Sequence, residues 1–309
     1  MRFLVTGAAG QLGSAMVERL SSAGSVTPLT RAALDITRDA DVLQAVRAMR
    51  PDVIVNCSAY NHVDDAEDQA TQALDVNAFG VLALARAARE SGAVFVHYST
   101  DFVFDGQTSR HYTENDPPAP QSNYGLSKLL GEWFAADAPA HYVLRVESLF
   151  GGRPAKSSVD RILDAIRHDI PVRVFVDRTV TPSFVADVAD ATVRLLERRP
   201  PFGIYHCVNS GTTTWLGIAE EAARLLGCHP TIVQTTMESV SLRAKRPLYC
   251  VPPWHATQAP GMNFSPRPSR LIDGNSAPSG PKVRNLVKGL PPLAPGDVDH
   301  SIATHATCF

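Results

Sequence analysis

The chain has 309 residues, 44% of them hydrophobic, with 29 Lys+Arg against 31 Asp+Glu and a net charge of -2. That composition supplies a large core but no field for holding nucleic acid. Five scattered cysteines (Cys57, Cys207, Cys228, Cys250 and Cys308) without a CxxC pair argue against a disulfide framework or a zinc knuckle, and for a reducing compartment.

In chain order, short β-branched runs alternate with amphipathic stretches. Strands are expected at Phe3-Leu4-Val5, 26–29, Val53-Ile54-Val55, 94–98 and 142–146, and helices over 12–20, 42–49 and 73–88. The near-continuous apolarity of the strands suits a sheet covered on both faces. This β-α-β-α rhythm predicts an α/β fold, with residues 1–150 forming a Rossmann-like, doubly wound parallel sheet that binds a dinucleotide. Past 150 the pattern loosens, with helices expected over 158–167, 187–198 and 214–226 and strand pieces at 172–176, 204–208 and 231–235. Residues 151–250 read as a smaller mixed C-terminal substrate-binding region, partly interleaved with the sheet and lying over its strand ends, where open α/β sheets hold ligands. The segment 251–309 holds 10 of the 23 prolines and no glutamate, and is expected to be a poorly ordered tail.

After the first strand comes Thr6-Gly7-Ala8-Ala9-Gly10-Gln11-Leu12-Gly13 and then a helix. Glycines let the chain turn tightly and let a pyrophosphate approach the backbone, while the helix N-terminus offers free N–H groups. The spacing is GxxGxxG rather than the commoner GxGxxG, and a tight turn without a ligand is the competing reading. An acidic residue just after the second strand would grip a ribose hydroxyl, whereas Arg31 there favours the 2′-phosphate of NADPH. Asp35 keeps NADH open, and Arg31 as a plain surface charge is the alternative.

Further on, Tyr124-Gly125-Leu126-Ser127-Lys128 places a phenol and an ammonium four residues apart, on one face of a helix. A lysine cation beside a tyrosine favours the phenolate and would bring its proton into range for acid–base work near pH 7. Ser99-Thr100-Asp101 ends the fourth strand and points its hydroxyls toward the same crevice. A surface tyrosine and lysine on an amphipathic helix would look the same in sequence.

These motifs resemble the extended short-chain dehydrogenase/reductases. The surrounding text is narrower: Pro51 to Asn56 runs into Ser58-Ala59-Tyr60 and Val63-Asp64-Asp65-Ala66-Glu67, followed later by Val76-Asn77-Ala78, His97 to Gly106, Gly203 to His206 and Asn209-Ser210-Gly211. Over about residues 1–250 this resembles the dTDP-4-dehydrorhamnose reductase family. The resemblance implies reduction of the C4 ketone of a nucleotide-linked 6-deoxy sugar in dTDP-L-rhamnose biosynthesis, with Tyr124 as proton donor, Lys128 tuning it and Thr100 bonding the substrate oxygen. It also implies that Gly10, Gln11 and Leu12 line the pyrophosphate, between Gly7 and Gly13 of the same loop. Asp35 and Ile36 would flank the adenosine, Ala59, Tyr60, Asn61 and Tyr98 would border the cofactor, and Asp101 would join Thr100 at the sugar.

The chain departs from the family at Phe102, usually tyrosine, and at Val146-Glu147-Ser148, usually Thr-Ser-Trp, so that Ser148 stands where an aromatic wall faces the substrate. Two other functions stay open. A regulatory NADP-binding subunit like the β subunit of methionine adenosyltransferase fits the altered wall. A sugar-nucleotide dehydratase or epimerase is the third reading; dehydration needs a second carboxylate beside Asp101, and Phe102 occupies that place. His97 and His206 read as hydrogen-bonded core or crevice residues, Cys57 as a small buried filler, and no metal site is expected. The expected partner is a nucleotide sugar, with no nucleic acid and no membrane. A cytoplasmic monomer or homodimer is expected, without a cleavable signal before Arg2-Phe3-Leu4-Val5.

Overall fold

The computed structural model describes residues 1–108 and 110–249; the segment read as a proline-rich tail lies outside them. β1 (Arg2–Thr6) leads through the glycine loop to α1 (Gln11–Leu20), then β2 (Ser25–Leu29), α2 (Asp39–Met49) and β3 (Val53–Asn56). The helix expected over 73–88 is α3 (Ala70–Leu74) and α4 (Gly80–Ser91), joined by a π-turn at Asp75–Phe79. β4 (Val94–Thr100), α5 (Asn123–Ala135), β5 (His141–Val146) and a short β6 (Leu149–Phe150) follow. α6 (Ser158–Arg167) opens on a capping box between Ser157 and Asp160 and precedes β7 (Val172–Phe175), β8 (Thr179–Val180) and β9 (Ser183–Phe184). The rest comprises α7 (Val185–Arg198), β10 (Gly203–His206), β11 (Thr213–Thr214), α8 (Trp215–Leu226) and β12 (Ile232–Thr235).

Six strands pair in parallel in the order β10-β5-β4-β3-β1-β2. Alternate side chains of these strands enter different cores. Phe3, Val5, Val55, Val96 and Leu144 pack with α1 and α7, while Leu4, Ile54, Phe95 and Val143 pack with α2 and α4. A one-residue slip of any strand would exchange the two sets, so burial on both faces sets the register.

The helix expected at 187–198 and the strand piece expected at 204–208 are where residues 151–250 interleave with the main sheet. β10 extends the main sheet beside β5, and α7 packs on α1. What gathers over the strand ends is a separate core of Phe150, Ile162, Val174, Phe175, Trp215 and Ile218, built by α6, α8 and the parallel pair β7–β12.

Candidate active site

β1 lies between β2 and β3, so the chain leaves β1 and β3 in opposite directions and their C-terminal ends open a crevice. Gly7 sits there at φ +64°, and a Cβ added to it would lie 2.6 Å from the backbone carbon of Cys57. A Cβ on Gly13 would come within 2.1 Å of the Gly7 carbonyl oxygen. The Gly10 N–H donates to that same oxygen at 2.9 Å, closing the turn, and no side chain caps α1. This cradle fits a pyrophosphate, since a side chain would fill the space and the first N–H groups of α1 face it. Leu12 is buried in the core, so only its backbone reaches the loop, and Gln11 Nε2 donates to Gly151 O at 2.8 Å, tying the loop to the smaller region. Gly13→Ala is expected to abolish cofactor binding and lower the melting temperature, because the collision is with backbone rather than a mobile side chain. Fluorescence titration with NADPH and a thermal melt check this; unchanged affinity would exclude the cradle.

At the far end of the crevice Arg31 is almost fully exposed and lies 3.9 Å from Asp35. Asp35 accepts from both the backbone N–H and the hydroxyl of Thr37, bonds that hold its carboxyl below the ordinary range. Ile36 turns the other way into the core, where its side chain fills the space over Gly80. Ala59, Tyr60 and Asn61 follow β3. The backbone N–H and carbonyl of Tyr60 are both bonded by the Asn77 amide, at 2.8 and 3.0 Å. Asn77 also donates to Ser127 Oγ at 3.0 Å, so the π-turn couples this loop to α5. Sequence reading met Asn77 only within the family text and assigned it no role. Tyr98 is placed differently from the expectation. Its phenol bonds Thr192 Oγ1 at 2.7 Å and points at Met16 in the core, so its backbone carbonyl, not its ring, faces the site.

α5 begins at a Ser122 cap and carries Tyr124 and Lys128 on its buried face. It approaches its neighbours backbone to backbone: a Cβ on Gly125 would lie 2.4 Å from Phe102 O, and one on Gly131 2.1 Å from Asn77 O. Two glycines inside a helix weaken it, which signals such close packing. The approach brings the Tyr124 phenol to the Thr100 hydroxyl at the end of β4. Burial pushes the phenol above its usual range, the charge of Asp101 pushes the same way, and the side-chain contact with Thr100 opposes both. Lys128, expected to tune this phenol, lies one helical turn further along α5. The Lys128 ammonium instead donates to Tyr98 O at 2.6 Å, and burial brings its pKa down to about 8 against the pull of Glu132. The geometric reason is that four residues along α5 carry Lys128 down beside β4, under the crevice.

Around Thr100 the fold gathers groups distant in sequence. Thr100 Oγ1 donates to Asp101 Oδ1 at 2.9 Å, and Arg178 Nη2 stands 3.8 Å from Asp101 Oδ2. Glu147, at the end of β5, is buried within electrostatic reach of both. Phe102 follows Asp101 in sequence, so the second carboxylate seemed to be missing; the fold supplies one from β5. Ser148 adopts a left-handed φ of +44°, and its carbonyl accepts from Ser183 N. The end of the described chain returns to the loop after β3, where Arg246 pairs with Asp64 and Arg243 with Asp65 and Asp68. His97 is buried and bonds Asn56 through Nδ1, while neither ring nitrogen of His206 has a partner among the described residues. Desolvation pushes the Cys57 thiol up, away from thiolate chemistry.

A parallel sheet with a glycine cradle at its switch point, and a Tyr-x-x-x-Lys helix beside a strand-end threonine, defines the short-chain dehydrogenase/reductase class. A solved dTDP-4-dehydrorhamnose reductase from Bacillus anthracis in complex with NADP is 31% identical with a TM-score of 0.78, covering 81% of this chain and 89% of that one. The chain belongs to the RmlD substrate binding domain family, whose model matches residues 1–264. It is 40% identical over 259 residues to the dTDP-4-dehydrorhamnose reductase of Streptomyces griseus, covering 81% of this chain and 84% of that one. It is also 38% identical over 257 residues to a probable dTDP-4,6-dihydroxy-2-methyloxan-3-one 4-ketoreductase of Streptomyces antibioticus, covering 81% and 86%.

Proposed function

We propose that this chain is an NADPH-dependent reductase of the C4 ketone of a dTDP-linked 6-deoxy sugar, acting as a dTDP-4-dehydrorhamnose reductase. The observation that carries this is the meeting of Thr100 and Tyr124 at the end of β4, above Lys128 and beside the glycine cradle. When bound, the nicotinamide supplies hydride to the ketone carbon. Tyr124, protonated at neutral pH, gives its proton to the oxygen as negative charge develops there, and the Thr100 hydroxyl turns its proton from Asp101 to the same oxygen. Lys128 serves the cofactor's ribose hydroxyls from under the crevice. Gly7, Gly10 and Gly13 admit the pyrophosphate, with Gln11 and Leu12 lining it through their backbone.

Arg31 supports NADPH over NADH, since its guanidinium is exposed at the rim and only loosely paired with Asp35 at 3.9 Å, while the Asp35 carboxylate is engaged by Thr37. The relatives' names support the dTDP sugar. Among the described residues no helix is long and apolar enough to cross a membrane, and a cytoplasmic enzyme working as a monomer or homodimer fits this reading. Incubation with NADPH or NADH and a panel of 4-keto sugar nucleotides tests it. NADPH oxidation with a dTDP-linked 4-keto-6-deoxyhexose is expected. Tight NADPH binding without turnover on any sugar would favour the regulatory-subunit reading, and tighter binding of NADH would overturn the assignment of Arg31.

A further inference from the structure

Glu147 is 2% exposed, and its carboxyl meets the backbone N–H and hydroxyl of Thr181 only in long contacts, with no hydrogen bond of normal length among the described residues. Asp101 Oδ2, which faces Arg178 at 3.8 Å, and the Thr181 hydroxyl, whose long contact is to Glu147, likewise lack a hydrogen bond of normal length among the described residues. Buried polar atoms are nearly always bonded in native folds, so a cluster of unbonded ones marks where a ligand or water completes them. The cluster adjoins Thr100, whose hydroxyl bonds the other oxygen of Asp101 and also meets Tyr124. It therefore borders the position of the reacting ketone.

The chemistry of the cluster narrows the ligand. Arg178 stands 3.8 Å from Asp101 Oδ2, and burial together with the charge of Asp101 pushes the Glu147 carboxyl upward, toward its neutral form, against Arg178 and Thr181. Among the described residues no group of three or more His, Cys, Asp or Glu could hold a metal ion. A neutral carboxyl presents C=O and O–H side by side, the complement of a hydroxyl that both donates and accepts. The corner is also held in place: the chain leaves β5 through left-handed Ser148, whose carbonyl accepts from Ser183 N, and β6 pairs with β9 next to Thr181.

We propose that Glu147, with Asp101 Oδ2 and the Thr181 hydroxyl, reads a ring hydroxyl near the reacting ketone, so that the enzyme selects hydroxylated hexuloses over their deoxy counterparts. This rests on the reductase reading and deepens it. Family membership leaves the choice open, because relatives at 40% and 38% identity are named for different sugar substrates. A site built to bond a substrate hydroxyl rejects the analogue lacking it, since its own buried groups are then left unpaired.

The test compares a dTDP-linked 4-keto-6-deoxyhexose with its 2-deoxy and 3-deoxy analogues, using NADPH and the wild-type, Glu147→Gln, Glu147→Ala and Thr181→Val chains. Wild-type kcat/KM is expected to fall by about 100-fold or more on loss of the hydroxyl that meets Glu147. In Glu147→Ala that ratio shrinks below about 10-fold, through loss on the hydroxylated sugar alone. Glu147→Gln, which keeps a donor and an acceptor, retains most of the discrimination, and Thr181→Val loses part of it. Equal use of all three sugars by the wild type overturns the proposal. So does an alanine variant that keeps the ratio, or one that slows equally on every sugar. NADPH oxidation with none of them overturns the reductase reading and this proposal together, whereas turnover without discrimination overturns this proposal alone.

Discussion

Tyr124→Phe is expected to lower kcat by about 100- to 10,000-fold while leaving NADPH affinity within a factor of about three. The phenol is buried against Thr100 and held protonated by burial and by the charge of Asp101, so it is loaded as a donor throughout the neutral range. Phenylalanine keeps the ring, and with it the edge-on contact to Phe102 at 5.4 Å, but has no proton to give. Stopped-flow turnover and equilibrium binding separate the two effects, and a variant that stays fully active would exclude Tyr124 as the donor. A pH profile adds a second readout. Lys128, lowered to about 8 by burial, is charged below that pH and neutral above it. If its charge serves the cofactor, kcat/KM falls as pH rises through about 8, and it does so in the wild type and in the weak residual activity of Tyr124→Phe alike.

Glu132→Gln is expected to destabilise the fold by about 3–5 kcal/mol. Glu132 and Arg145 are both 3% exposed and form a two-pronged pair, with Arg145 Nε to Oε1 at 2.8 Å and Nη2 to Oε2 at 2.7 Å. Neutralising one partner strands a buried guanidinium that packs over the Phe104 ring at 4.9 Å and cannot shed its charge. Urea unfolding measures the loss, and an unchanged midpoint would sink the prediction. Replacing both residues by leucine is expected to recover stability relative to the single variant, because two buried charges are then no longer desolvated. The same carboxylate holds up the pKa of Lys128. Its removal therefore lowers that pKa further, and the alkaline limb of the activity profile moves to lower pH.

Most of the element order is legible because local pattern encodes it. Apolar runs of four or five residues read as doubly covered strands, and Phe3, Val5, Val53 and Val96 are indeed buried in the sheet. The glycine cradle is legible for a steric reason: Gly7 and Gly13 stand where a Cβ would strike backbone. The placement of 187–206 is not legible, because α7 and β10 look like any helix and strand until their partners, α1 and β5, are known. The ring of Tyr98 is missed for a related reason. Alternation along β4 sends it toward Met16 and Thr192, and only the main chain at that residue faces Lys128.

What the sequence by itself determined is the sheet-and-helix alternation, the phosphate-binding turn and the pairing of Tyr124 with Lys128 on one helix face. Each depends on spacings of a few residues and on sterics within one segment. The tertiary structure alone decided what those groups touch. Burial and the charge of Asp101 keep the Tyr124 phenol protonated, and Glu147 from the end of β5 and Arg178 from the loop before β8 converge on Asp101. The reason is physical: burial and charge act through space over a few ångströms, and only the packed sheet brings residues 46 and 77 positions away from Asp101 within that range.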